Sequence, residues 1–179
     1  LFPIVLGAAI LLFPAFLNGY PFIFPDSAGY IAGFGQQVHF PFYHWMIVAS
    51  NFIAPSIWML VFLQSLATSD LIYSLLKCEL KIFKPSAFLI AIGILMAVSS
   101  LPYFTGFIMP DIFTALIFLC IYLLLVHHKK LSRPYKVYLY ILTLFAASAH
   151  STNLFLGIGL LIFMSVLLFI ALGIETPIF

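Results

Sequence analysis

The chain has 179 residues, 65% of them hydrophobic and only 7% charged, with a formal net charge of +2 and a mean hydropathy of +1.23. A soluble domain carries roughly 25% charged residues, so the composition excludes that class, and the small net charge leaves no electrostatic footprint for nucleic acid. The apolar stretches approach the roughly 20 residues that a helix needs to cross a bilayer, and no strand-like alternation of the barrel kind is present, which predicts an all-α, polytopic transmembrane bundle.

The first apolar stretch, residues 1–17, has no basic residues before it and no small-residue cleavage site after it, so it does not read as a signal peptide. The sequence opens on Leu1 inside that stretch and ends at Phe179 just beyond another, and it reads as one transmembrane domain, residues 1–179, belonging to a longer chain. Residues 18–41 form the longest interval between apolar stretches and hold Pro25-Asp26-Ser27 at their centre. Residues 40–54 are apolar but short and aromatic, bracketed by Pro41 and Pro55, and predict a helix lying in the membrane interface, where Tyr43, His44 and Trp45 fit. Further spans are expected at 56–76, 87–103, 110–127, 136–151 and 154–173, about six in all, with short interfacial helices in the first outer loop.

All seven basic residues fall in two loops: Lys77, Lys81 and Lys84 after the second span, and Lys129, Lys130, Arg133 and Lys136 after the fourth. Positive residues are retained on the cytoplasmic side, and two loops separated by two spans must share a side, so both loops are expected there. The loop holding Asp26, the turn before Asp111 and the hinge around His150 then face the extracytoplasmic side. That face carries two acids, three of the five histidines (His39, His44 and His150), and no Lys or Arg. Asp70 is expected near the cytoplasmic interface beside Lys77 as a structural residue, and His127-His128 as solvated. Cys78 and Cys120 lack metal-site spacing and read as packing residues.

Two Pro-Asp pairs carry the chemistry. Asp26 precedes Ser-Ala-Gly-Tyr and sits where an N-cap opens a short helix, with Tyr30 one turn on; Asp111 follows Pro110 at the start of the fourth span. Each acid serves equally well as a cap, but two on one face at the bilayer boundary are also able to share a divalent cation, Mg²⁺ or Mn²⁺, with phosphate oxygens, or to divide base and ligand duties. Around them, Tyr30, His39, His44, His150 and Asn153 are the candidates for substrate contact, although Ser, Thr and Asn after His150 also suit a cap for the last span. No Gly-rich phosphate loop, HExxH, CxxC or GxSxG pattern occurs, nor the chain of intramembrane acids of a proton-coupled pump.

Taken in order, Phe24-Pro25-Asp26-Ser27-Ala28-Gly29-Tyr30, His39-Phe40-Pro41-Phe42-Tyr43, Leu63-Gln64-Ser65-Leu66 and Met109-Pro110-Asp111-Ile112-Phe113 resemble the motifs of the GT-C superfamily of polytopic glycosyltransferases. The resemblance implies a sugar donor carried on polyprenyl phosphate within the membrane lipid, an acceptor of unspecified kind, Asp26 as general base or metal ligand, and Asp111 assisting. The sequence departs from that pattern where the family carries outer-face arginines: His39 and His150 stand there instead. The alternatives are a non-catalytic polytopic protein whose Pro-Asp pairs only cap helices and, with less support, a transporter.

Overall fold

The computed structural model describes residues 1–33, 41–81 and 84–174, and among them the chain is all-helical with no strand. Helices α1 (Phe2–Leu11) and α2 (Phe13–Asn18) occupy the first expected span, which bends at Leu12 ahead of Pro14, a residue able to start a helix but not to continue one. Gly19, in the left-handed conformation at φ 77°, ends α2. A single turn, α3 (Ser27–Ala32), and the predicted interfacial helix, α4 (Pro41–Ile53), follow. Next come α5 (Ile57–Glu79), α6 (Pro85–Val98) and the short α7 (Leu101–Gly106), which Pro102 separates from α6. The remainder comprises α8 (Ile112–Val126), α9 (Arg133–Ala149) and α10 (Ser151–Ile174).

Helices therefore stand at each of the expected spans, but among the described residues only α5 is both long and apolar enough to cross a membrane by itself. The first and third spans are split by their prolines, and the apolar helices α6 and α8 are shorter.

The centre of the bundle is α5 packed against α1, α4 and α8, with α6 on the outside of α1, and α9 and α10 on α8. Helices in lipid gain little from apolar burial against one another and associate through close packing and hydrogen bonds. The face of α5 toward α1 is built accordingly: Ser65 Oγ donates to Ala8 O at 2.8 Å and Ser69 Oγ to Ile4 O at 2.8 Å. Gly7 sits between these contacts, where a Cβ would come within 2.5 Å of Ser69 Oγ and 3.0 Å of the Phe88 ring, so α1 reaches both α5 and α6 only because that residue has no side chain.

These contacts run α1 antiparallel to α5 and sort the loops by end. One end collects Lys77, Lys84, Lys130 and Arg133 at the ends of α5, α6, α8 and α9; the opposite end collects Asp26, Asp111 and His150.

Candidate site at the acidic end

The outer loop is fixed to the bundle by backbone. Phe22 N donates to Gly106 O at 2.9 Å and Ile108 N to Phe22 O at 3.0 Å, a single parallel bridge joining the segment before Asp26 to the segment before Asp111. Phe107 packs its ring against both Phe22 and Phe24, at centroid distances of 5.6 and 6.4 Å.

Beneath the bridge lies Gln64, fully buried on α5. Its Nε2 donates to Phe107 O at 3.0 Å and to Thr105 O at 3.4 Å, and its Oε1 accepts from Tyr43 Oη at 2.6 Å. Burial, followed by Tyr30 and Asp111, holds the Tyr43 hydroxyl well above its usual range, so it stays protonated and donates. One glutamine thus joins the long helix, the interfacial helix and the turn carrying Asp111. The motif resemblance drew attention to Gln64, but its partners lie far away in the chain and no local pattern announces them.

Both acids stand at the first residue before a helix, yet neither makes a side-chain cap hydrogen bond. Beside Asp26, the wholly buried Ser27 hydroxyl accepts from Phe24 N, ahead of the helix, at 2.9 Å. Asp26 and Asp111 are left exposed. Tyr30 is almost fully buried, with its ring edge-on to Tyr43 at 5.2 Å. Burial first, then the Asp111 carboxylate, then that of Asp26 push the Tyr30 hydroxyl up to about 12. Two acids from separate loops therefore act on one phenol.

The other sequence candidates are distributed unevenly. His44 Nδ1 is 2.9 Å from Tyr30 O, and its ring lies where a Cβ on Gly33 would meet it at 2.8 Å; with φ of 73°, Gly33 is required on both counts. His44 thus secures α3 on α4. His150 opens α10 by accepting from Thr152 N at 3.2 Å through Nδ1. Asn153 is buried with both ends of its amide engaged: Nδ2 donates to Ala146 O at 3.1 Å, and Oδ1 accepts from Thr114 Oγ1 at 2.6 Å. It ties α10 to α8 and α9 one turn from Asp111. His39 lies outside the described residues.

Two expectations at the basic end are corrected or refined. His127 is buried rather than solvated, with Nε2 2.8 Å from Glu79 Oε1, because the end of α5 brings a carboxylate against the end of α8; Tyr122 Oη donates to the same oxygen. Asp70 is half-buried and accepts from Tyr135 Oη at 2.8 Å, although Lys77 lines the same cavity.

Among the described residues no three His, Cys, Asp or Glu side chains form a metal-holding group.

The electrostatic convergence predicts a titration. Asp111→Asn lowers the pKa of Tyr30 from about 12 toward its ordinary 10.0, and Asp26→Asn lowers it by less, while burial keeps either variant above 10.0. Tyrosine ¹³Cζ shifts followed with pH, with Tyr30→Phe as the assignment, read this directly; an unmoved pKa in both variants would separate the two acids. Since the fold raises this pKa, its contribution to stability is complete below pH 10 and is lost as pH rises from 10 toward 12.

No family model, curated protein or solved structure matches the chain.

Proposed function

We propose that the chain is a multi-pass membrane module that transfers a sugar from a polyprenyl-phosphate carrier to an acceptor on the extracytoplasmic face, in the manner of the GT-C glycosyltransferases it resembles. The observation that carries this reading is the pair of exposed, uncapped acids from separate loops acting on Tyr30, at a bundle end free of Lys and Arg. In this reading the split spans cross the bilayer as composite segments and the basic end is cytoplasmic.

The reaction is a displacement at the anomeric carbon with inversion. Asp26 takes the proton of the acceptor hydroxyl as its oxygen bonds to carbon, and the carrier phosphate departs with the electron pair of the broken C–O bond. Asp111 would hold a divalent cation, which when bound offsets the charge of the departing phosphate, a role that no Lys or Arg on this face fills. Tyr30 stays neutral at any working pH, since its pKa stands near 12, and adds no charge beside the two carboxylates. His150 and His44 fix the borders of the site through α10 and α3.

The test is donor turnover. The full chain reconstituted in vesicles with a labelled polyprenyl-phosphate sugar is expected to release polyprenyl phosphate in a time- and protein-dependent way. No release across donors with either Mg²⁺ or Mn²⁺ returns the chain to the non-catalytic bundle, in which Gln64 and the bridge serve architecture alone.

A further inference from the structure

Two cavities meet at Asp70, one opening at the basic end and the other reaching inward to Met46 and Phe113. One, of about 520 Å³, opens among the basic loops and is lined by Lys77, Lys130, Ser74, Ser132 and Tyr135. The other, of about 410 Å³, is apolar and lined by Leu63, Leu66, Ala67, Leu142 and Phe145. Ile4, Asp70 and Tyr135 border both, so the two volumes adjoin at the Asp70 carboxylate. Each lies in the size range of small-molecule sites, and together they are graded from cationic to apolar.

The gradation selects the occupant. Lys130 Nζ uses one of its three protons on Cys78 O at 2.8 Å, and Lys77 is exposed, so two ammonium groups with donors to spare stand at the mouth. A phosphate monoester, with charge near −2 at neutral pH, matches that pair. Deeper in, Ser74 Oγ donates to Tyr135 Oη at 2.7 Å and Tyr135 Oη donates to Asp70 Oδ2 at 2.8 Å, a directed chain that ends on the acid. The carboxylate at the junction therefore accepts: it favours a hydroxyl at the boundary between head and tail and disfavours an ester carbonyl or a second phosphate there. The apolar cavity beyond takes a single alkyl chain.

We propose that this paired cavity binds a monoacylglycerol phosphate, with its phosphate at Lys77 and Lys130, its free glycerol hydroxyl on Asp70 and its acyl chain among Leu63, Leu66 and Leu142. The proposal does not rest on the transferase reading: its phosphate contacts, Lys77 and Lys130, lie at the basic end, away from Asp26 and Asp111.

The experiment uses the full chain in neutral detergent with radiolabelled 1-oleoyl-glycerol 3-phosphate, competed by 1-oleoylglycerol, which lacks phosphate, and by glycerol 3-phosphate, which lacks the chain. Saturable binding is expected, with both competitors at least about tenfold weaker than unlabelled lipid, and with Lys77→Gln/Lys130→Gln weakening binding at least about tenfold. Ala67→Trp, which fills the apolar cavity, is expected to abolish it. Equal competition by glycerol 3-phosphate would mean a free phosphate-ester site, and equal competition by 1-oleoylglycerol an apolar groove only; either overturns the proposal. Undiminished binding by the double lysine variant overturns it as well, and because Lys77 and Lys130 are exposed, that result decides the matter even where Ala67→Trp does not fold.

Discussion

Asp26→Asn is expected to reduce sugar transfer by about 10²- to 10⁴-fold, the range that a positioned general base contributes, without lowering the unfolding temperature. The two parts belong together. Asn has the shape of Asp and keeps its hydrogen-bonding reach, but it has no basic oxygen to take the acceptor proton. A cap role would be largely preserved in Asn, and here no cap hydrogen bond exists to be lost. Exposed substitutions of this kind change stability by about 0.5 kcal/mol or less. Asp111→Asn tests the division of labour: as a ligand rather than the base, its loss is expected to be partly restored by raised Mg²⁺ or Mn²⁺, whereas Asp26→Asn is not. Donor turnover and a melting curve on each variant check the expectation; an active Asp26→Asn protein removes the acid from the chemistry.

Gln64→Leu is expected to destabilise the protein by about 2–5 kcal/mol, the largest effect of any single polar substitution described above. Leucine fills much of the volume but leaves the Tyr43 hydroxyl and the Phe107 and Thr105 carbonyls facing an apolar side chain. Each stranded buried group costs about 1–3 kcal/mol, and in lipid no water reaches in to relieve it. Gln64→Glu is expected to fall between the two: it still accepts from Tyr43 but, when ionised, meets two carbonyl oxygens with no proton to offer. Chemical or thermal unfolding in detergent measures both. A Gln64→Leu protein as stable as the parent would show that the turn before Asp111 is held by the backbone bridge alone.

The parts of the fold legible in the sequence were those governed by local chemistry. Pro85 and Pro134 stand in the first turns of their helices, the aromatic run between Pro41 and Pro55 forms its separate helix, and the seven basic residues gather at one end. Pro14 and Pro102 were harder to weigh, because hydropathy averages over a proline that the backbone cannot ignore; hence two spans expected whole are each built from two helices. At the site, the residue types were readable but their partnerships were not. Asp26 stands where a cap belongs but makes no cap bond, while the adjacent Ser27 hydroxyl is taken by Phe24 N, whose ring packs on Phe107. Asn153 reads as a polar residue free for substrate, yet Ala146 seven residues back and Thr114, distant in sequence, consume its amide. His127 looked like loop beside its lysines, and the acid that claims it comes from a different helix.

The bridge between Phe22 and Phe107 also has a bearing on how the molecule is made. One strand of the contact leaves the ribosome early, before α5 exists, while the other follows α6 and α7. During synthesis the loop with Asp26 has nothing to pair with, and Gln64 waits with its amide unfilled until residues 105–107 arrive. The loop that carries Asp26 is thus tied to the turn before Asp111 only after residues 105–108 have been made, so the acidic end is completed late, on a bundle whose central helix is already in place.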